Sequence, residues 1–311
     1  RRCATFSERC AKHAHPARMQ MKKRKELSMR YQITSDSTCD LSPEQLERYN
    51  IRLLPLYVSM DGKTLRDGVD VKPDDIYAHV SAGGSLPQTA AVNLADYVRA
   101  FTELSEKNDF VIHVCISLDF SCCYQNAKLA AADFDNVYVV DSRNLSTGHG
   151  LVVLEAERMA REGMAPDDIV AALHDLTGRV EASFILDRLD YMKKGGRCSA
   201  VTLLGANLLR LRPCIEVRDG KMGVGKKYRG SFDKCVCEYI TDKIGNRSDL
   251  ELRRVFITHS GVSEETVQKA VETVQKLQPF EEICVTRAGC TVSSHCGPGT
   301  LGVLYIRKAD K

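Results

Sequence analysis

Apolar positions along the chain follow two rhythms. Residues 110–116 (FVIHVCI) and 137–140 (VYVV) are short, nearly continuous, β-branched runs, the pattern of strands buried on both faces. Leu94, Val98, Phe101 and Leu104 instead recur at helical spacing behind Asn93, a favoured N-cap residue. A further strand-like run at 31–34 ends in Ser35, Asp36, Ser37 and Thr38, and Ser42, Pro43 and Gln45 then mark a helix start. The run 110–116 passes through a polar turn into a helix expected from about Ser121 to about 133. The run 137–140 passes through the turn 141–148 into a helix ending near 161. Strand, polar turn and helix, three times over, predict a parallel sheet wound by helices, with ligands gathering outside the carboxyl ends of the strands.

Between these units, 51–60 reads as extended, Asp61 and Gly62 as a hairpin turn into 63–66, and 72–80 as a helix. Residues 82–89 (AGGSLPQT) are expected to be a loop holding Ser85 and Thr89. After a helix over 166–179 the texture changes. A strand at 182–186 leads into 189–197 (LDYMKKGGR), expected as a loop with three cations and two glycines, and then into a short apolar helix over 200–209. Two strands flank Asp219 and Gly220, and helix 232–244, strand 255–258, helix 264–277 and strand 283–287 follow. Residues 292–300 (VSSHCGPGT) read as a glycine-rich turn before the last strand, 301–306. The fold class is α/β, with an N-terminal domain over 29–179 built on a mainly parallel sheet. A C-terminal α/β domain with a smaller mixed sheet spans 180–311, and the ligand is expected between the two.

Charge separates off the start of the chain. Residues 1–30 hold ten Lys and Arg against two Glu, which leaves 34 basic and 39 acidic residues in the remainder. The part that folds therefore has no basic excess for nucleic acid, and no nucleic-acid partner is expected. Residues 1–28 are read as a basic extension, with Met29 as the natural start; the rival is a nucleic-acid or lipid-surface arm. No apolar run approaches the ~20 residues of a membrane span, so no stable membrane insertion is expected. The 13 cysteines are scattered, odd in number and without a C-x-x-C pair, which suits free thiols in a reducing cytoplasm.

Candidate chemistry centres on polar turns. Ser117 and Ser121 lie at or just before a helix N-terminus, where unpaired N–H groups favour an anion. Thr89 is a second hydroxyl. His295, beside serines and glycines, and His259, at a strand end, are alternative imidazoles that could meet a carboxylate or phosphate or act as a base. Lys193, Lys194, Arg197, Lys226 and Arg229 are cations that could line the mouth of a site or a docking surface. The neighbours Cys122 and Cys123 share one element, and Cys290, His295 and Cys296 lack a matching second half, so no metal site is expected. No turn matches a nucleotide-binding glycine pattern, and no GxSxG elbow marks an esterase.

The stretches SDSTCDL, LPQTAA, ISLDFSCCYQNA, VVDSRNLSTGHG, YMKKGGR, KKYRG and HCGPGTLGVLY, in this order, resemble the DegV family of bacterial lipid-binding proteins over nearly all of residues 29–311. The resemblance implies two α/β domains with a long-chain fatty acid between them and no cofactor. Its carboxylate would meet Thr89 and Ser121 from the first domain and His295 from the second. It implies a carrier rather than an enzyme, presenting the carboxylate to an ATP-dependent fatty acid kinase subunit for acyl-phosphate formation. Two departures stand out: the family more usually has TSQP and SGTY where this chain has Thr89-Ala90-Ala91-Val92 and Ser121-Cys122-Cys123-Tyr124. The hydroxyls survive and the neighbouring wall changes. The competing readings are a serine-dependent lipid esterase, with Ser121 as nucleophile and His295 as base, and a subunit binding a small phosphorylated or polyol ligand.

Overall fold

The computed structural model describes residues 29–202 and 211–309. The basic extension 1–28 and most of the apolar helix expected over 200–209 lie outside these; Ser199–Thr202 is helical. In chain order the strands of the first part are β1 (Tyr31–Asp36), β2 (Arg52–Leu54), β3 (Tyr57–Met60), β4 (Lys63–Arg66), β5 (Gln88–Ala90), β6 (Phe110–Cys115) and β7 (Val137–Asp141). Those of the second are β8 (Val180–Leu186), β9 (Leu211–Arg218), β10 (Lys221–Arg229), β11 (Leu250–Ser260), β12 (Glu282–Arg287) and β13 (Thr300–Arg307).

Strands β2-β1-β6-β7 form the all-parallel sheet that the repeated strand, turn and helix units imply. Every residue of β6 is buried, as a strand covered on both faces must be. The second part carries the larger sheet, a mixed one in the order β10-β9-β8-β13-β11-β12. A small antiparallel sheet, β4-β3-β5, forms a separate feature, because the extended run 51–60 breaks at Pro55 and its halves join different sheets. One buried apolar cluster runs through both parts, including Ile33, Ile112 and Val140 with Phe184, Val217 and Leu304.

Local signals behave as their chemistry dictates. Ser42 and Gln45 make a reciprocal capping box on the helix Pro43–Arg48, and Asn93 caps Leu94–Ser105. The buried stripe of that second helix is Tyr97, Ala100, Phe101 and Leu104; Leu94 and Val98 face solvent. Asp36 accepts from the main-chain N–H of Thr38 and, at 2.7 Å, from that of Ile116, which ties the carboxyl ends of β1 and β6 together.

Five expectations are corrected. The mixed sheet, expected to be the smaller, has six strands to the four of the parallel sheet, because both β9–β10 and β11–β12 extend it. The helix after β6 starts at Cys123, not Ser121, because the main chain first turns at Ser117–Phe120 and Ser121 Oγ accepts from Cys123 N (3.3 Å). Thr89 is not in a loop: it pairs with Val58 on the edge strand β5. The cationic segment 189–197 contains a helix, Asp190–Gly195, ended by Gly196 at φ 68°. The glycine-rich turn expected around His295 is instead a helix, Cys290–Cys296, ended by Gly297 at φ 73°.

Candidate functional site

A cavity of about 360 Å³ opens where the carboxyl end of the parallel sheet faces the mixed sheet. Its apolar wall comes from both parts of the chain, with Ile116 and Phe120 from the first and Phe184, Met192, Met222 and Leu304 from the second. Thr89, Ser121 and His295, far apart in sequence, all line it. Cavities of this size with a few polar groups on apolar walls suit small-molecule ligands.

Thr89 Oγ1 and His295 Nε2 lie 2.8 Å apart. Burial, reinforced by the positive charge of Arg197, pushes the His295 imidazole down to about 4, with the Gly195 main chain a lesser, opposing influence. The ring is neutral at physiological pH. Its Nδ1 is buried without a well-formed hydrogen bond and faces Gly195, where an added Cβ would stand 2.4 Å from it. Ser121 is half-buried, and its Oγ donates to Cys123 Sγ (3.2 Å) while accepting from Cys123 N.

The remaining candidates divide. Arg197 lines the cavity and donates to the Gly195 carbonyl (2.9 Å). On the helix Asp190–Gly195, which ends before Arg197, Lys193 is half-buried and Lys194 exposed, and neither lines the cavity. Lys226 pairs with Asp242 and Arg229 is exposed; both lie on β10, away from the cavity wall. Ser117 is fully buried and spends its hydroxyl on the Gly220 carbonyl at 2.8 Å, so it joins the two parts of the molecule rather than facing the cavity. A serine in a strand-to-helix turn gives no sequence sign of such a distant partner.

His259, weighed as an alternative to His295, lines the same cavity, and burial followed by the Arg287 charge lowers its pKa. The exposed Cys122 also lines the cavity, whereas Cys123 is buried beneath it. The set Cys290, His295 and Cys296 has other uses: Cys290 Sγ donates to the Val71 carbonyl (3.1 Å) and Cys296 is buried. Among the described residues Asp36, His113 and Cys115 do bring one potential ligand atom each within 4.8 Å of one another. Asp36 is already occupied by main-chain donors there, and His113 Nδ1 meets Thr34 Oγ1 at 2.8 Å. No helix among the described residues is long and apolar enough to cross a membrane.

Residues 30–308 match the family described as uncharacterised protein, DegV family. A DegV domain-containing protein of Caldanaerobacter subterraneus is 30% identical over 279 residues, covering 89% of this chain and 98% of that protein. Among solved structures, a DegV family protein from Thermus thermophilus, described by its fatty acid binding, superposes with a TM-score of 0.82 at 30% identity, over 90% of this chain and 100% of its own. A DegV lipid-binding protein from Thermotoga maritima does so with a TM-score of 0.80 at 27% identity, over 91% and 100%. The sequence match spans both sheets and the superpositions extend over nearly all of the relatives' chains, so this chain belongs to the DegV family.

Proposed function

We propose that this protein binds a long-chain fatty acid in the cavity between its two sheets and presents the carboxylate to an ATP-dependent kinase subunit, which forms the acyl phosphate. The observation that carries the acid-binding part is the meeting of Thr89, Ser121 and His295 on one otherwise largely apolar cavity. Apolar walls suit an acyl tail better than a polyol or a phosphate. Each buried methylene contributes ~0.8 kcal/mol, so a tail of about sixteen carbons contributes on the order of 10 kcal/mol before ordering costs. The tail supplies affinity and the polar groups supply orientation. When a ligand carboxylate displaces the bond between His295 Nε2 and Thr89 and the bond from Ser121 to Cys123 Sγ, a neutral His295 protonated on Nε2 and the two hydroxyls supply three donors to it away from bulk water. The solved relatives described as binding fatty acid or lipid support the same ligand.

The protein acts as a carrier rather than an esterase in this reading. His295 Nε2 is bonded to Thr89 rather than to Ser121, and among the described residues no carboxylate orients its Nδ1, so these residues do not assemble a nucleophile, base and orienting acid. Family resemblance is what supports the kinase partner. The free cysteines at the eleven described cysteine positions support a reducing, cytoplasmic setting. The change from parallel to mixed sheet between β7 and β8 supports a division into two domains near residue 179.

The test is mass spectrometry of what leaves the purified protein on denaturation, with palmitate binding compared among wild type, Ser121→Ala and His295→Ala. A released long-chain acid, and about ten-fold weaker palmitate binding in each variant, are the expected results. Lipid-free protein with affinity for a phosphorylated or polyol ligand, or ester turnover abolished by Ser121→Ala, overturns the proposal.

A further inference from the structure

The helix Cys290–Cys296 carries His295, yet the groups that hold its N-terminus come from the other part of the chain. Gly289 N donates to Asp40 Oδ1 (2.8 Å), Cys290 N to Asp67 Oδ1 (2.9 Å) and Thr291 N to Asp67 Oδ2 (3.0 Å). These are the N–H groups a helix cannot satisfy itself, and acidic side chains there are favoured by the helix dipole. Asp67 is 3% exposed and Asp40 6%, so water does not substitute for them. Ser37 Oγ donates to Asp67 (3.1 Å) and Ser146 Oγ to Asp40 (2.6 Å), which fixes both carboxyl groups in turn.

Asp67 also belongs to the same small structural unit as Thr89. It directly follows β4, its N–H donates to the Leu56 carbonyl at 2.9 Å, and β4 pairs with β3, which pairs with β5 through Val58 and Thr89. Val58 and Cys290 share an apolar cluster with Val71 and Ile76. The small sheet thus grips the first turn of the helix through Asp67 and Cys290, and offers Thr89 to its last turn. His295 lies four positions after Thr291, a rise of about 6 Å along the same helix, so the clamp and the imidazole belong to one short rigid element.

We propose that Asp67, assisted by Asp40, is the positioning residue of the head-group site. It locks the His295 helix onto the small sheet so that the imidazole and the Thr89 hydroxyl converge on one ligand oxygen. This rests on the reading of Thr89 and His295 as carboxylate ligands, and the experiment separates the two ideas. The ligand-free protein is labelled with ¹⁵N-histidine and the His295 ring signals are compared in wild type and Asp67→Ala. Affinities for palmitate and for methyl palmitate, which lacks the carboxylate, are then measured on both proteins. The expected result is a displaced His295 signal and a palmitate-to-ester affinity ratio lowered about ten-fold, with ester binding little changed. An unmoved His295 signal with an unchanged ratio overturns the proposal even if the melting temperature falls, since a purely structural carboxyl group costs stability alone. If Asp67→Ala does not fold, Asp67→Asn, which keeps the side-chain volume and one acceptor oxygen, is judged by the same two signals. Wild-type protein that binds neither probe sinks the fatty-acid reading, while the ligand-free His295 signal still decides the positioning role.

Discussion

The two hydroxyl-and-imidazole walls of the cavity are built in opposite ways. Ser121 itself is placed by short-range bonds, its hydroxyl donating to Cys123 Sγ and accepting from Cys123 N, while the turn before it is held from farther off by Asp36 at Ile116 N and by Ser117 on the Gly220 carbonyl. The His295 wall depends on partners about 200 residues away, with Asp67 and Asp40 at one end of its helix and Thr89 at the other. The Ser121 hydroxyl is fixed by a neighbour in sequence, the His295 imidazole by docking of its whole helix. The docked wall should therefore be the more fragile, and the one through which mutation and pH reach the site.

The largest expected effect follows from Gly297, which ends the His295 helix at φ 73° with room for no side chain. A Cβ there would lie 2.7 Å from the Tyr191 ring. Gly297→Ala should cost roughly 1–3 kcal/mol in urea unfolding, because backbone strain and overpacking act together. Cys122→Ser, beside Ser121 but exposed, should leave the unfolding midpoint almost unmoved. Equal losses in the two variants would erase the contrast between the walls.

Acid should expose the same contrast with a smaller effect. The His295 imidazole is held down to about 4 in the folded protein, against about 6.5 in an unfolded chain. Below pH 6.5 the unfolded chain takes the proton first, so through His295 stability is lost as pH falls from 6.5 towards 4 and is unaffected above that window, whereas Asp40, which burial pushes up to about 8, acts with the opposite sign in wild type and variant alike. His113, down to about 3, and His149, also lowered, act with the same sign as His295. Urea midpoints across this range should therefore fall more steeply for wild type than for His295→Gln, whereas Ser121→Ala, which removes no titrating group, should track wild type. Parallel curves for His295→Gln and wild type would show that the docked wall does not sense pH.

The smallest effect is expected at the cations of β10. Lys226→Ala and Arg229→Ala should leave palmitate affinity within about two-fold, as exposed charges off the cavity wall do. A larger loss would extend the site to the β9–β10 hairpin, which already touches the first part of the molecule through Gly220 and Ser117.

Much of this protein was legible in its sequence because the relevant physics is local. Continuous β-branched runs set the buried parallel strands, Ser42 and Asn93 set helix starts, Asp61 with Gly62 set a hairpin, and the motifs around Thr89, Ser121 and His295 marked the residues that line the cavity. Tertiary structure decided the rest, for a physical reason that recurs. A seven-residue helix such as Cys290–Cys296, interrupted in pattern by serines and followed by glycines, has too few internal hydrogen bonds to declare itself; it exists because Asp67 and Asp40 satisfy its first N–H groups. Nothing in the sequence around Asp67 signals its role, and Ser117 reads as a hydroxyl at a helix N-terminus that could meet a ligand, until the fold brings their partners close. Sequence alone, through its motifs and their family resemblance, singled out the candidate side chains, since that depends on residue type and motif order. Only the tertiary structure decided which of them share one cavity and what holds them there, since that depends on hydrogen bonds closed across 200 residues of chain.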